Sequence, residues 1–128
     1  MTERAFQQHK GPILVEVQLT GPSGSTSLDL VLDTGATTSL IKRSALIYLG
    51  FDPDQSTRRV QMTTGSAVET VPVVVLTRLS ALGQHRFGFP VIAHALPSNA
   101  LVDGLLGLDF LRGLELTIDF RAGRIRLA

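Results

Sequence analysis

Residues 30–39, with the sequence LVLDTGATTS, constrain this chain most, because they place a carboxylate directly after an apolar run. Leu30, Val31 and Leu32 are typical of a strand that is buried in a core, and Asp33 follows them without a spacer. An unpaired carboxylate is costly to bury, so the turn at Gly35 has to bring Asp33 to the edge of that core. There Asp33 either caps the turn with its side-chain oxygen or takes part in chemistry.

The pattern on both sides of this stretch predicts a mainly β fold. Residues 13–19 alternate between apolar and polar side chains, which is the period of a half-buried strand, and residues 21–24 form a turn. Further short strands are predicted at residues 39–41, 57–63, 67–76, 87–93, 115–120 and 124–127. A short helix is predicted at residues 42–49, with an apolar stripe of Ala45, Leu46 and Leu49 and with Gly50 at its end. A loop is predicted at residues 52–54 and a second short helix at residues 108–112. Pro72 predicts an edge or a bulge in its strand.

Length and composition indicate one globular domain. The chain has 128 residues, of which 44% are hydrophobic and 18% charged, and it contains no linker-like stretch. Residues 13–128 are predicted to form the domain, and residues 1–12 an N-terminal extension that could be flexible. The net charge of +1 argues against a nucleic-acid partner. The absence of cysteine excludes disulfides and thiolate chemistry and suits a reducing compartment.

Targeting and metal-binding signals are also missing from the pattern. No apolar stretch approaches the roughly 20 residues that span a bilayer, and residues 1–10 are too polar for a secretion signal. A cytoplasmic location is therefore expected, although the chain could be a soluble piece of an anchored protein. His9, His85 and His94 are too scattered to be metal ligands, so neither a metal nor a cofactor is expected.

A second short motif lies far downstream, where Leu105 and Leu106 are followed by Gly107. An apolar strand that ends in Asp-Thr-Gly-Ala, combined with two apolar residues and a glycine about 70 positions later, resembles the retropepsin-like (retroviral-type) aspartic protease family. The similarity in layout extends over residues 13–127. Residues 101–111 look most like bacterial single-domain members and the protease domain of DNA-damage-inducible proteins.

The resemblance implies a closed, barrel-like acid-protease fold with one Asp-Thr-Gly per chain. It implies that Asp33 is catalytic, that Thr34, Gly35 and Ala36 form the active-site loop, and that the second motif packs beneath this loop. Two neighbouring carboxylates that share a proton can supply both a base and an acid for amide hydrolysis. Since Asp109 lacks a hydroxyl-glycine turn, the second carboxylate is expected to be Asp33 of another copy, in a homodimer.

A hairpin in the middle of the chain matches the position of the family's flap, which covers the substrate. Its turn comprises Thr63, Thr64, Gly65 and Ser66, and a glycine tip suits a lid that opens and closes. The alternative interpretation is an ordinary surface hairpin with a glycine turn.

The expected function is that of an aspartic endopeptidase, a hydrolase that acts on peptides or proteins. Two alternatives from other classes remain open. One is a catalytically silent dimerisation or peptide-binding domain that has kept the fold, because fold does not determine function. The other is a phosphate-binding loop of the actin and sugar-kinase type, but that fold needs two large α/β domains, which 128 mostly β residues cannot supply.

Overall fold

The computed structural model describes residues 2–7, 9, 11–96 and 101–128. The strands are β1 (Thr2–Ala5), β2 (Leu14–Gly21), β3 (Gly24–Leu32), β4 (Leu40–Lys42), β5 (Arg59–Thr64), β6 (Ala67–Ala81), β7 (Gln84–His94), β8 (Gly104–Leu106), β9 (Leu116–Asp119) and β10 (Arg124–Leu127). The helices are α1 (Arg43–Tyr48) and α2 (Leu108–Leu111), with a 3-10 turn at Pro53–Gln55 where the sequence predicted a loop. The predicted mainly β class is confirmed.

The core is a closed six-stranded barrel. The strand order is β2-β3-β8-β4-β7-β6, and the barrel closes because β6 also pairs with β2. The alternation of β2 places Val15, Val17 and Leu19 in the interior, and the polar side chains of residues 16, 18 and 20 lie on the opposite face. This arrangement confirms the barrel-like fold that the resemblance implied.

The hairpin of β5 and β6 extends beyond the barrel. Residues 67–72 of β6 pair with β5, and pairing with β7 begins only at Val73. The Val73 amide donates to the carbonyl of Arg58, so the nitrogen of Pro72 points away from β5. On the side of its nitrogen, Pro72 has no paired strand among the described residues, which agrees with the edge position that the sequence predicted. Pro72 also marks where the strand leaves the barrel.

Strand β6 continues past its predicted end at residue 76, and β7 begins before its predicted start at residue 87. The two strands are joined by a two-residue turn in which Leu82 has a φ of 50° and Gly83 a φ of 77°. Turns with two positive φ values usually contain asparagine or glycine at both positions. Because Leu82 is not a typical residue for such a turn, the sequence pattern does not predict a turn here. The positive φ of Leu82 is tolerated because its side chain, which is 5% exposed, packs in the core.

Helix α1 packs on the barrel through the predicted apolar stripe, which includes Leu46 and Leu49. Gly50 follows the helix with a φ of 93°, and the Phe51 amide donates to the Leu46 carbonyl at 3.0 Å. This is the glycine-terminated helix end that the sequence predicted. Along the described residues, no helix has the length and apolar character needed to cross a bilayer.

The two ends of the chain meet in a second, three-stranded sheet of order β1-β10-β9. Strand β1 lies within the predicted N-terminal extension and is antiparallel to β10. The sequence did not reveal it, because most side chains of β1 are exposed and carry no apolar alternation. On β10, Ile125 and Leu127 belong to the same buried cluster as the barrel interior, so this sheet contributes to the core.

We expect Leu127→Ala to lower the free energy of unfolding by about 2–5 kcal/mol, since it removes a large side chain from a packed site. Leu127 is 0% exposed, whereas Leu101 is 95% exposed and provides a matched control. Urea denaturation of both variants measures the difference. If Leu127→Ala were as stable as Leu101→Ala, the terminal sheet would not be part of the core.

Candidate active site

Asp33 lies at the end of a strand that is paired, in parallel, with the downstream motif. Val31 is opposite Leu105 and Leu32 is opposite Leu106 in the ladder between β3 and β8. The pairing continues one residue further, because the Asp33 amide donates to the Leu106 carbonyl at 2.9 Å. Asp33 itself is half-buried. Two motifs that are far apart in the sequence therefore end side by side at one edge of the barrel.

The turn after β3 bonds to the carboxylate and also leaves it accessible. The Gly35 amide donates to Asp33 Oδ1 at 2.9 Å, and the Ala36 amide donates to the Asp33 carbonyl at 3.2 Å. Thr34 and Gly35 are exposed. Within the described part of the chain, no protein donor contacts Asp33 Oδ2. One oxygen thus caps the turn, and the other remains available for a ligand or a second carboxylate.

The downstream motif lies directly beneath this loop. Leu106 is buried, and Gly107 is so close to the loop that a β-carbon on it would lie 2.7 Å from the carbonyl oxygen of Ala36. That oxygen instead accepts a hydrogen bond of 2.8 Å from the Leu108 amide. A glycine at residue 107 is therefore required by packing, because any side chain there would push the loop away.

Asp109, the other carboxylate near the motif, is already engaged. Its two oxygens accept hydrogen bonds from the amide and the hydroxyl of Ser39, at 2.9 and 2.6 Å. No sequence motif pointed to Ser39, which is the last of three consecutive hydroxyl residues and is the one that is 0% exposed. Asp109 therefore fastens the loop to α2, and this explains its position better than a role as a second acid.

The turn of the predicted flap has open space around it. Thr63 and Thr64 end β5, and the two-residue turn of Gly65 and Ser66 leads into β6. Gly65 has a φ of 53°, and a β-carbon built on it would have no neighbour within 4 Å. This hairpin tip is thus free of packing constraints at the glycine.

A groove of about 600 Å³ lies between this hairpin and the loop after Asp33. Residues 36–38 of the loop and residues 61–63 of β5 form part of its wall, with Leu40, Ile92 and Leu105 from the barrel. Its lining is mainly apolar and uncharged. The groove therefore suits an uncharged, partly apolar segment that contacts the loop after Asp33.

The histidines form separate local contacts. At the rim of the groove, His94 Nε2 lies 3.0 Å from the carboxylate of Glu69 on β6. His85 Nδ1 lies 2.7 Å from the hydroxyl of Ser80. Among the described residues, no three histidine, aspartate or glutamate side chains are grouped in a way that could hold a metal ion.

An ion pair holds the segment before β8 against the barrel. Asp103 Oδ1 accepts a hydrogen bond from Lys42 Nζ at 2.6 Å, and Asp103 Oδ2 accepts one from the Asp29 amide at 2.9 Å. Burial raises the pKa of Asp103, but the hydrogen bonds from Lys42 and Asp29 and the charge of Lys42 together outweigh burial and lower the pKa below its ordinary value.

We expect the Asp103 ion pair to stabilise the fold at neutral pH but not in strong acid. Because its pKa is lowered in the folded state, the stabilisation is present above the ordinary pKa of about 3.9 and is lost as the pH falls through the folded value. Asp103→Asn should cost about 1–2 kcal/mol at pH 7, and the cost should shrink towards about pH 2.

Urea denaturation across this pH range measures the difference from the unmodified chain. Asp54→Asn is the matched control, because Asp54 forms its ion pair with Arg43 on a side chain that is 71% exposed. A cost of Asp103→Asn that stayed constant from pH 7 to about pH 2 would contradict the assignment.

Comparison with known proteins tests the family that the sequence motifs indicated. A family model described as aspartyl protease matches residues 15–110, well over half of the chain. No curated protein shows significant sequence similarity to the chain. The fold is similar to the crystal structure of a retropepsin-like aspartic protease from Rickettsia conorii, with a TM-score of 0.71 and 16% identity over 98% of this chain and 90% of that one. The chain therefore belongs to the aspartyl protease family and has a retropepsin-like fold.

Proposed function

We propose that this protein is an aspartic endopeptidase whose active site pairs Asp33 with Asp33 of a second copy. The observation that carries the proposal is the setting of Asp33, which is held by main-chain hydrogen bonds at the start of a loop whose residues 36–38 line an apolar groove. One of its oxygens has no protein donor among the described residues. A carboxylate that is fixed in place and yet accessible is the arrangement that acid–base chemistry needs.

Peptide hydrolysis by such a pair needs neither a metal nor a covalent intermediate. One carboxylate takes a proton from water as the water oxygen attacks the carbonyl carbon, and the protonated carboxyl gives its proton to the carbonyl oxygen. The tetrahedral diol then collapses: the C–N bond breaks, one proton moves to the leaving nitrogen, and a carboxylic acid and an amine are released. Mutual repulsion favours a single shared proton on the pair.

The need for a second copy follows from what one chain provides. The sequence has one Asp-Thr-Gly, and the Asp109 carboxylate is occupied by Ser39. Thr34 and Gly35 are exposed at the tip of the loop, where they are accessible to the same loop of another chain. In the resembled family the threonine bonds across the two-fold axis, and we assign that role to Thr34.

The substrate would lie in the groove beneath the hairpin of β5 and β6. We assign Thr63, Thr64, Gly65 and Ser66 to the flap, which would close over the peptide and exclude water. Because residues 67–72 pair with β5 but not with β7, the hairpin can bend at Pro72 without breaking the barrel.

Asp33→Asn should abolish peptide hydrolysis and leave the fold intact. The change removes the negative charge and keeps the shape, so we expect kcat/KM to fall by at least about 10³-fold. Asp29→Asn is the matched control, because Asp29 is an exposed carboxylate on β3, the strand that leads to Asp33. Cleavage of a mixed peptide library, with circular dichroism as the folding check, measures both. A folded Asp33→Asn protein with near-full activity would exclude the proposed mechanism.

Mixing experiments separate a shared site from a self-sufficient one. Unmodified and Asp33→Asn chains are mixed at constant total protein under conditions that let subunits exchange. A mixed dimer, which has only one Asp33, should be inactive. With random pairing, an equal mixture then retains about a quarter of the activity, whereas independent sites retain about half. A linear mixing curve, with subunit exchange demonstrated, would rule out the shared dyad.

A further inference from the structure

We propose that Asp109 is a positioning residue, which holds the active-site loop through Ser39 and so determines where Asp33 lies. The consequence for catalysis rests on the proposed function, whereas the structural role does not. Asp109 lies in the first turn of helix α2, and Ser39 ends the loop that begins at Asp33. These two residues are 70 positions apart in the chain.

Three donors converge on the Asp109 carboxylate. Oδ2 accepts the Ser39 amide at 2.9 Å, and Oδ1 accepts both the Ser39 hydroxyl at 2.6 Å and the Phe110 amide at 2.9 Å. An ionised carboxylate can satisfy all three, because both of its oxygens accept hydrogen bonds and neither donates. An asparagine would turn its NH₂ group towards at least one of these donors. This position thus requires a carboxylate and not simply a polar side chain.

Ser39 connects Asp109 to Gly107, the glycine beneath the loop, through its hydroxyl. Its hydroxyl gives its hydrogen to Asp109 and accepts the Gly107 amide at 2.9 Å, inside a site that is 0% exposed. Loss of the hydroxyl would leave the Gly107 amide buried without a partner, which is costly. Ser39 therefore links Asp109 to the same motif that pairs with Asp33 through Leu106.

Two main-chain bonds continue this connection along the loop. The Leu108 amide donates to Ala36 at 2.8 Å, and the Asp109 amide donates to Thr37 at 3.2 Å. Ala36, Thr37 and Ser39 are thus joined to residues 107–109, with the Asp109 side chain at the far end from Asp33. A displacement of about 1 Å at a catalytic group can cost about 100-fold in rate.

Helix α2 is bonded to strand β7 of the barrel, so it can serve as a rigid support for the loop. Arg86 on β7 donates to the carbonyl of Phe110 at 2.8 Å and to that of Arg112 at 3.2 Å, and its guanidinium lies over the Phe110 ring. Phe110 is fully buried against Phe89. The loop is therefore bonded to a helix that is itself packed in the core.

The kinetic test compares Asp109→Asn with Asp119→Asn. Asp119 also accepts hydrogen bonds from two main-chain amides, those of Arg121 and Ala122, but it ends β9 and leads into the turn to β10. We expect Asp109→Asn to lower kcat about 100-fold per folded molecule with little change in KM, and Asp119→Asn to leave both unchanged.

A general loss of stability would not reproduce this pattern. The affinity for a peptide whose scissile amide is replaced by a hydroxyl-bearing tetrahedral group should fall in parallel with kcat, because only the transition-state geometry is affected. Assays are run at protein concentrations where the specific activity no longer rises with concentration, which removes any effect of subunit dissociation. Unchanged kcat and analogue affinity in folded Asp109→Asn would overturn the role in catalysis.

A second readout does not depend on activity. Hydrogen exchange of the Ser39 and Gly107 amides should be faster in Asp109→Asn and in Ser39→Ala than in the unmodified chain, and unchanged in Asp119→Asn. If Asp109→Asn does not fold, Ser39→Ala provides the test, since it removes one hydroxyl from the same network. Unchanged exchange at both amides would overturn the proposal. Faster exchange in the variants, combined with an unmodified chain that itself cleaves no peptide, would instead support the structural role and refute the proposed function.

Discussion

The candidate site depends on the parallel pairing of β3 with β8. Because Leu32 is opposite Leu106 and the Asp33 amide continues the ladder, the two motifs end at the same edge of the barrel. Parallel strands need a long connection, and the intervening chain supplies it with the rest of the barrel. Closure of the barrel by β6 on β2 then fixes this pair of strands in place.

The proposed function needs both a rigid loop and a mobile lid, and the fold assigns the two to separate segments. The loop from Asp33 to Ser39 is bonded at both ends and in between to residues 106–109, where β8 leads into α2. The hairpin of β5 and β6 leaves the barrel at Pro72 and has few neighbours at Gly65. Catalytic geometry would need the first and substrate entry the second, so the proposed function accounts for both.

The terminal sheet affects how the proposed dimer can be tested. Strand β10 is paired on both sides within one chain and contributes Ile125 and Leu127 to the core. Truncation of the C-terminal strands would therefore destabilise the chain itself and could not serve as a test of subunit association. Substitution at Asp33 and mixing of intact chains avoid this problem, because neither alters the core.

The sequence by itself determined the features that depend on local chemistry. Alternation of side chains predicted most strands, Gly50 predicted the end of a helix, and the Asp33 turn with the motif at Gly107 indicated the family. Such features are visible because their cause lies within a few neighbouring residues.

The tertiary structure alone decided the rest. Strand β1 is ordered by β10 and not by its own side chains, and the turn at Leu82 adopts a conformation that its residue type disfavours. The bonds between Ser39 and Asp109 join residues 70 positions apart, which only closure of the barrel brings together. From the sequence, Asp109 was a weak candidate for a second acid. In the structure, its hydrogen bonds to Ser39 anchor the loop that carries Asp33.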